Sequence, residues 1–163
     1  MTPEQTFAHA IATARAPIDA FAALDRLVQE LLGATLVTVT TVEEMGALAR
    51  RSYSNMPDAY PTSGIKRVDP SRWNTIVLER HETFVANTLA EIATVFPDHE
   101  LIGSLGLGSC INMPILLGGE VIATLNLLDA PGYFTPVRVA LIADRLTLPA
   151  LAAQLAYDRL RAR

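Results

Sequence analysis

One stretch, Leu101 to Asp129, limits what this chain can fold into more than any other: LIGSLGLGSCINMPILLGGEVIATLNLLD. Between Leu101 and Leu128 only Glu120 is charged, yet Gly103, Gly106, Gly108, Pro114 and Gly118-Gly119 interrupt the run. A membrane-spanning helix needs about 20 apolar residues without such breaks, so no membrane span is expected here. Two short strands around a Gly-Gly turn, buried on both faces, fit the pattern. Side chains alternate along a strand, so Ile111, Met113 and Ile115 form one set and Cys110, Asn112 and Pro114 the other. On the second strand Val121, Ala123, Leu125 and Leu127 alternate with Ile122, Thr124, Asn126 and Leu128. Matching apolar set to apolar set places residue 113 near 123 and residue 112 near 124. That register asks for an odd loop, Leu117-Gly118-Gly119, with Gly119 in the left-handed position. A two-residue turn would put Asn126 on the apolar face. The expectation is a sheet with one dry face for helices and one mixed face for a ligand.

At 163 residues the chain suits a single domain, 1–163, with a sizeable core. Half the residues are apolar and 18% are charged, which excludes a disordered chain. A net charge of −4 without a basic stripe argues against nucleic acid as a partner. A single cysteine, Cys110, excludes an internal disulfide and a Cys-rich metal site and is consistent with a reducing compartment. The first residues lack a basic patch followed by an apolar core, so a cytoplasmic location is expected.

Along the chain, Thr2-Pro3-Glu4-Gln5 reads as a capped helix start. Pro17 ends that helix or restarts it, and the spacing from Ile18 to Leu32 is helical, stopped by Gly33. Thr35–Thr41 and Ala47–Tyr53 read as a hairpin, with Arg50 and Arg51 placing the second strand near a sheet edge. Ser54 to Arg72 reads as a long irregular loop, and a loop of that length is usually functional or disordered. Tyr60 within it and Trp73 after it favour function, since large aromatics need something to bury against. A short helix to about Glu79, a brief strand Thr83–Ala86, a helix capped by Asn87 and another over Leu101 and Ile102 precede the hairpin. Thr135-Pro136 opens a last helix towards Leu160, expected to kink near Pro149. It is apolar on more than one side, which implies a second partner, either the N-terminal helices or a second copy of the chain.

This order of elements resembles the GAF domain family. The residues that carry the resemblance are Phe84-Val85-Ala86-Asn87, Gly108 to Ile115, Gly119 to Leu127, and Tyr133-Phe134-Thr135 opening a helix. It implies an α+β fold: a central antiparallel sheet of five or six strands, N- and C-terminal helices on one face, and a pocket with short helices and a long loop on the other. It also implies a sensory or regulatory role, a small-molecule ligand, and a homodimer through terminal helices. Because no output domain follows in this sequence, a separate output protein is a further expected partner. One enzymatic branch of the family reduces free methionine sulfoxide with paired cysteines and substrate-holding acids on the hairpin strands. Here Cys110 is single and stands where that branch has an acid, while Asn126 and Leu128 replace the others. Chromophore-binding members carry additional motifs that are absent from this sequence.

The candidate ligand-binding residues are therefore Tyr53, Tyr60, Trp73, Phe96, Leu101, Ser109, Cys110, Asn112 and Asn126. The aromatics admit both a core reading and a pocket-wall reading, and Cys110 reads either as a small buried hydrophobe or as the thiol of an enzyme. Asn112 and Asn126 are the sharpest pair, because a buried amide without partners costs about 1–3 kcal/mol. Backbone, water or a polar ligand would satisfy them. His9, His81 and His99 are not at metal-ligand spacing. The glycines 103, 106 and 108 do not open a helix after a strand, so they make a poor phosphate loop. Cofactor and ligand identity stay unknown at this point. A protein-interaction module without ligand is the remaining alternative.

Overall fold

The computed structural model describes residues 1–163. Two helices come first, α1 (Pro3–Thr13) and α2 (Pro17–Leu31). Gln5 N–H donates to Thr2 Oγ1 while Thr2 N–H donates to Gln5 Oε1, so the capping box forms as the sequence implies. Asp19 Oδ2 accepts from the backbone N–H groups of Arg15 and Ala16 and ties the corner between the helices. Those two bonds hold the Asp19 carboxyl below its ordinary value.

Six strands follow: β1 (Leu36–Glu43), β2 (Leu48–Ser54), β3 (Lys66–Arg67), β4 (Phe84–Ala86), β5 (Ser109–Leu117) and β6 (Glu120–Asp129). Every pairing is antiparallel, in the order β3-β2-β1-β6-β5-β4. Between β3 and β4 a π-helical segment spans Asn74–Glu79, and two short helices, α3 (Leu89–Ala93) and α4 (His99–Ser104), lie between β4 and β5. The last helix, α5, runs unbroken from Pro136 to Arg161 through Pro149. The architecture is the α+β sheet of six strands that the sequence implies.

The sheet divides the molecule into two cores. On one face Ile111, Met113, Ile115, Ala123, Leu125 and Leu127 meet Phe21, Leu24 and Val28 of α2 and Ile142, Leu146 and Ala150 of α5. Burying a side chain of this kind contributes roughly 1.5–3 kcal/mol. On the other face Leu36, Cys110 and Leu128 pack with Val77, Phe84, Ile92, Ile102 and Leu107, which belong to the short helices, β4 and their loops. The two apolar sets are those that strand alternation separates.

The hairpin corrects one expectation. Residue 113 pairs with 125, not 123, and residue 112 with 126, not 124. The loop is the two-residue Gly118-Gly119, both at positive φ (62° and 84°), as a tight hairpin turn requires. A bulge then places Ile122 as an extra residue between Val121, opposite Leu116, and Ala123, opposite Ile115. The odd residue that keeps Asn126 off the apolar face therefore sits in the strand and not in the loop.

Of the remaining expectations, the one for Asn87 changes. β2 lies near the sheet edge as expected: only the two-residue β3 is outside it, paired to Leu48 and Ala49 and not to Arg50 or Arg51. Asn87 does not cap α3; Thr88 does, accepting from Glu91 N–H. Asn87 instead clamps the start of the last crossing, donating to Phe134 O and accepting from Phe134 N–H, both at 3.0 Å. The glycines before β5 serve turns and close packing. Gly106 has φ +76°, and a Cβ on Gly108 would lie 2.5 Å from Pro131 Cγ. Gly108→Ala is expected to lower unfolding free energy by about 1–3 kcal/mol, as overpacking does, read as a shifted urea midpoint at unchanged slope.

Candidate functional site

The mixed face of the sheet floors a cavity of about 250 Å3. This is slightly below the range of about 300–1,000 Å3 usual for drug-sized ligands, so a small metabolite is the right scale. Leu36, Thr38 and Thr40 of β1, Asn112 of β5 and Thr124, Asn126 and Leu128 of β6 form the floor. The walls are Arg51 of β2, Tyr60 from the loop, Trp73 before the π segment, and Phe96, Asp98 and Ile102 around α4.

Hydrogen bonding across the floor has a direction. An indole N–H is a donor and nothing else. Trp73 Nε1 donates to Asn112 Oδ1 at 3.0 Å, which turns Asn112 Nδ2 towards Asn126. That amide donates to Asn126 Oδ1 at 2.9 Å, and Asn126 Nδ2 in turn donates to Thr38 Oγ1 and Thr40 Oγ1, each at 3.2 Å. The two asparagines thus satisfy one another, with Trp73 at one end and two hydroxyls at the other. The orphan on this floor is a different atom. Thr124 Oγ1 is buried and has no partner, whereas the two other such atoms, Arg50 Nε and Gln154 Oε1, do not belong to residues of this cavity.

The rim is organised by Tyr60. Its hydroxyl donates to Asp98 Oδ2 at 2.8 Å, and the Arg51 guanidinium lies 4.9 Å from its ring centroid. Burial, then the bond to Asp98, pushes the Tyr60 phenol well above its ordinary value, so it stays a donor. Arg51 Nη1 donates to Pro61 O, and Arg51 and Ser63 exchange bonds through Arg51 N–H to Ser63 Oγ and Ser63 N–H to Arg51 O, all at 3.0 Å. The loop is therefore pinned to β2 at the point where it enters the wall. Phe96 meets Trp73 at 6.4 Å between centroids and stands edge-on to Phe84 at 6.3 Å.

Of the residues singled out in the sequence, Tyr60, Trp73, Phe96, Asn112 and Asn126 come together at this cavity. Four do not. Tyr53 lies on the helix side, its hydroxyl donating to Asp25 Oδ2 at 2.7 Å beside Phe21. A bulge explains it: Tyr53 opposes Val39 but Arg51 opposes Thr40, so Ser52 is extra and throws the two side chains to opposite faces. Leu101 points outward at 39% exposure, and its neighbour Ile102 takes the wall position. Ser109 donates to Ala130 O at 2.7 Å and to Asp129 O at 3.2 Å, closing the end of the hairpin. Cys110 opposes Ala86 and Leu128 within the second core and does not line the cavity.

Burial pushes the Cys110 thiol up to about 12, the reverse of what a nucleophilic cysteine needs. Leu36, Thr38, Thr40, Arg51, Asp98, Ile102, Thr124 and Leu128 were missed. The threonines carried a signal, since they occupy the polar beats of alternating strands; Arg51 and Asp98 carried none.

The GAF domain family model matches residues 21–146, which spans most of the first core, the second core and the whole cavity floor. The chain belongs to the GAF domain family. No curated protein matches the sequence. Among solved structures, the GAF domain of a phosphoenolpyruvate-protein phosphotransferase from Coxiella burnetii is similar at TM-score 0.74 and 16% identity, with 98% of this chain and 94% of that one covered. A GAF domain/HD domain protein from Geobacter sulfurreducens gives 0.69 at 12% identity, covering 94% and 99%. The chromophore-binding domain of a bacteriophytochrome from R. palustris gives 0.66 at 10% identity, covering 98% of this chain and 61% of that one. At such identities the likeness is one of fold. GAF domains are small-molecule-binding sensory modules.

Two outcomes follow from the site geometry. Asn126→Leu orphans Asn112 Nδ2 and is expected to destabilise the GAF domain by about 1–3 kcal/mol, measured by chemical denaturation. Iodoacetamide at pH 8 is expected to modify native Cys110 far more slowly than the urea-unfolded chain. Because the folded thiol pKa is raised from 9.0 to about 12, its contribution to stability is full below pH 9 and is lost as pH climbs towards 12.

Proposed function

We propose that this GAF domain is a sensory or regulatory module whose cavity holds a small polar metabolite. The observation that carries the reading is Thr124 Oγ1. It is buried and unpartnered, on a floor where the two amide side chains are engaged by hydrogen bonds. A buried hydroxyl left without a partner costs free energy, and a ligand oxygen or nitrogen supplies what is missing. The aromatic wall of Tyr60, Trp73 and Phe96 gives such a ligand a flat apolar surface.

Thiol chemistry at Cys110 has no support in this arrangement, for the thiol is buried, held protonated and off the cavity. The second element of the proposal is assembly through α5. Val137, Leu148 and Leu155 are 77%, 73% and 41% exposed. Their separations of eleven and seven residues repeat on one side of a helix, and they form an apolar stripe opposite the side packed on α2. A homodimer, or a separate output protein, covers that stripe.

Thr124→Val removes the orphan hydroxyl while keeping its shape. It is expected to raise unfolding free energy by about 1 kcal/mol in the unliganded protein and to abolish or weaken the thermal stabilisation given by whichever metabolite shifts the wild type. A loss of stability on this substitution counts against the reading. Leu148→Glu is expected to convert a dimer to a monomer in light scattering, and a wild type that is monomeric at all concentrations sinks the homodimer and leaves the separate output protein as the occupant of the stripe.

A further inference from the structure

Resting on the reading of the cavity as a ligand site, the direction of its hydrogen bonds specifies what the ligand presents. Trp73 fixes the polarity of the whole relay, and at its far end Thr38 Oγ1 and Thr40 Oγ1 both act as acceptors. Neither hydroxyl proton is donated to any protein group, and Thr124 donates to none either. Asn112 Nδ2 has a second N–H beyond the one given to Asn126. The floor therefore holds three unspent O–H donors and one N–H. Arg51 reaches from beside Thr40 to the Tyr60 ring, so its positive charge stands at the rim.

Asp98 at the rim is the reverse. Asp98 uses Oδ2 to accept from Tyr60, and its Oδ1 is free at the wall. Tyr60, Trp73 and Phe96 supply the aromatic part of the wall.

We propose that the ligand is a small unsaturated or aromatic compound that points an sp2 oxygen, as carboxylate or carbonyl, into the threonine floor and offers an O–H or N–H to Asp98. An ammonium head leaves the three hydroxyl protons without an acceptor, whereas an sp2 oxygen takes them.

Three probes of one shape test this: 4-hydroxybenzoate, 4-hydroxybenzaldehyde and 4-hydroxybenzylamine. Titration calorimetry reads affinity. The indole N–H resonance of the single tryptophan locates binding, because Trp73 is a member of the relay. Binding of an oxygen-headed probe with a shifted indole signal, and none by the amine, is the expected result. Binding of the benzoate alone marks a charged head paired with Arg51, and binding of both oxygen-headed probes marks the carbonyl oxygen as sufficient. Thr124→Val is expected to weaken the bound oxygen-headed probe about tenfold while the protein keeps its fold.

An amine that binds as well, or an affinity unmoved by Thr124→Val, overturns the proposal. Absence of binding by all three probes while other metabolites stabilise the protein overturns the ligand class and leaves the cavity reading standing. Absence of any binding compound in a broad thermal-shift screen overturns both.

Discussion

The structure depends on parity. A sheet covered on both faces tolerates no strand residue on the wrong side, because a slip of one position exchanges every core residue for a cavity residue. Two bulges enforce this parity. The extra Ile122 compensates for the even Gly118-Gly119 turn, and the extra Ser52 separates Arg51 from Tyr53. With both in place, Met113, Leu125, Val39 and Tyr53 face the helices, while Asn112, Asn126, Thr40 and Arg51 face the cavity. One inserted residue in each of two strands decides which side chains meet a ligand.

On the cavity side the governing constraint is chemical. Amides and hydroxyls face either way in a hydrogen bond, and a row of them has no inherent direction. The indole N–H does. By giving its proton to Asn112, Trp73 orders Asn112, Asn126, Thr38 and Thr40 into one donor-to-acceptor sequence. Such a relay is rigid because each member depends on the next. The residues that look most like ligand contacts in the sequence are the scaffold that aims others.

Much of this was legible in the residues. Alternation in β5 and β6 separated the two faces, and the capping residues Thr2 and Gln5 announced α1. The element order, with the run from Gly108 to Leu127, identified the family and hence the six-stranded sheet. The candidate site was legible in part, for physical reasons. Tyr53 was misplaced because a bulge has no sequence mark as plain as a Gly-Gly turn. Leu101 and Ile102 are adjacent on a one-and-a-half-turn helix, where periodicity cannot choose between them. Asp98 and Arg51 act through Tyr60, 38 and 9 positions away in the chain, and only the folded loop brings them together. Thr124 stood in the right set of alternating residues, yet its missing partner is a property of three dimensions.

The strand lengths across the sheet have a consequence of their own. The long strands β1, β6 and β5 lie inside, while the outermost, β3 and β4, have two and three residues. A border so short exposes too few free amides and carbonyls to template another strand, and Lys66 and Arg67 add charge at one side. Extension of this sheet from molecule to molecule is thereby disfavoured. The cavity floor is drawn wholly from the three inner strands β1, β5 and β6, so it lies away from either border.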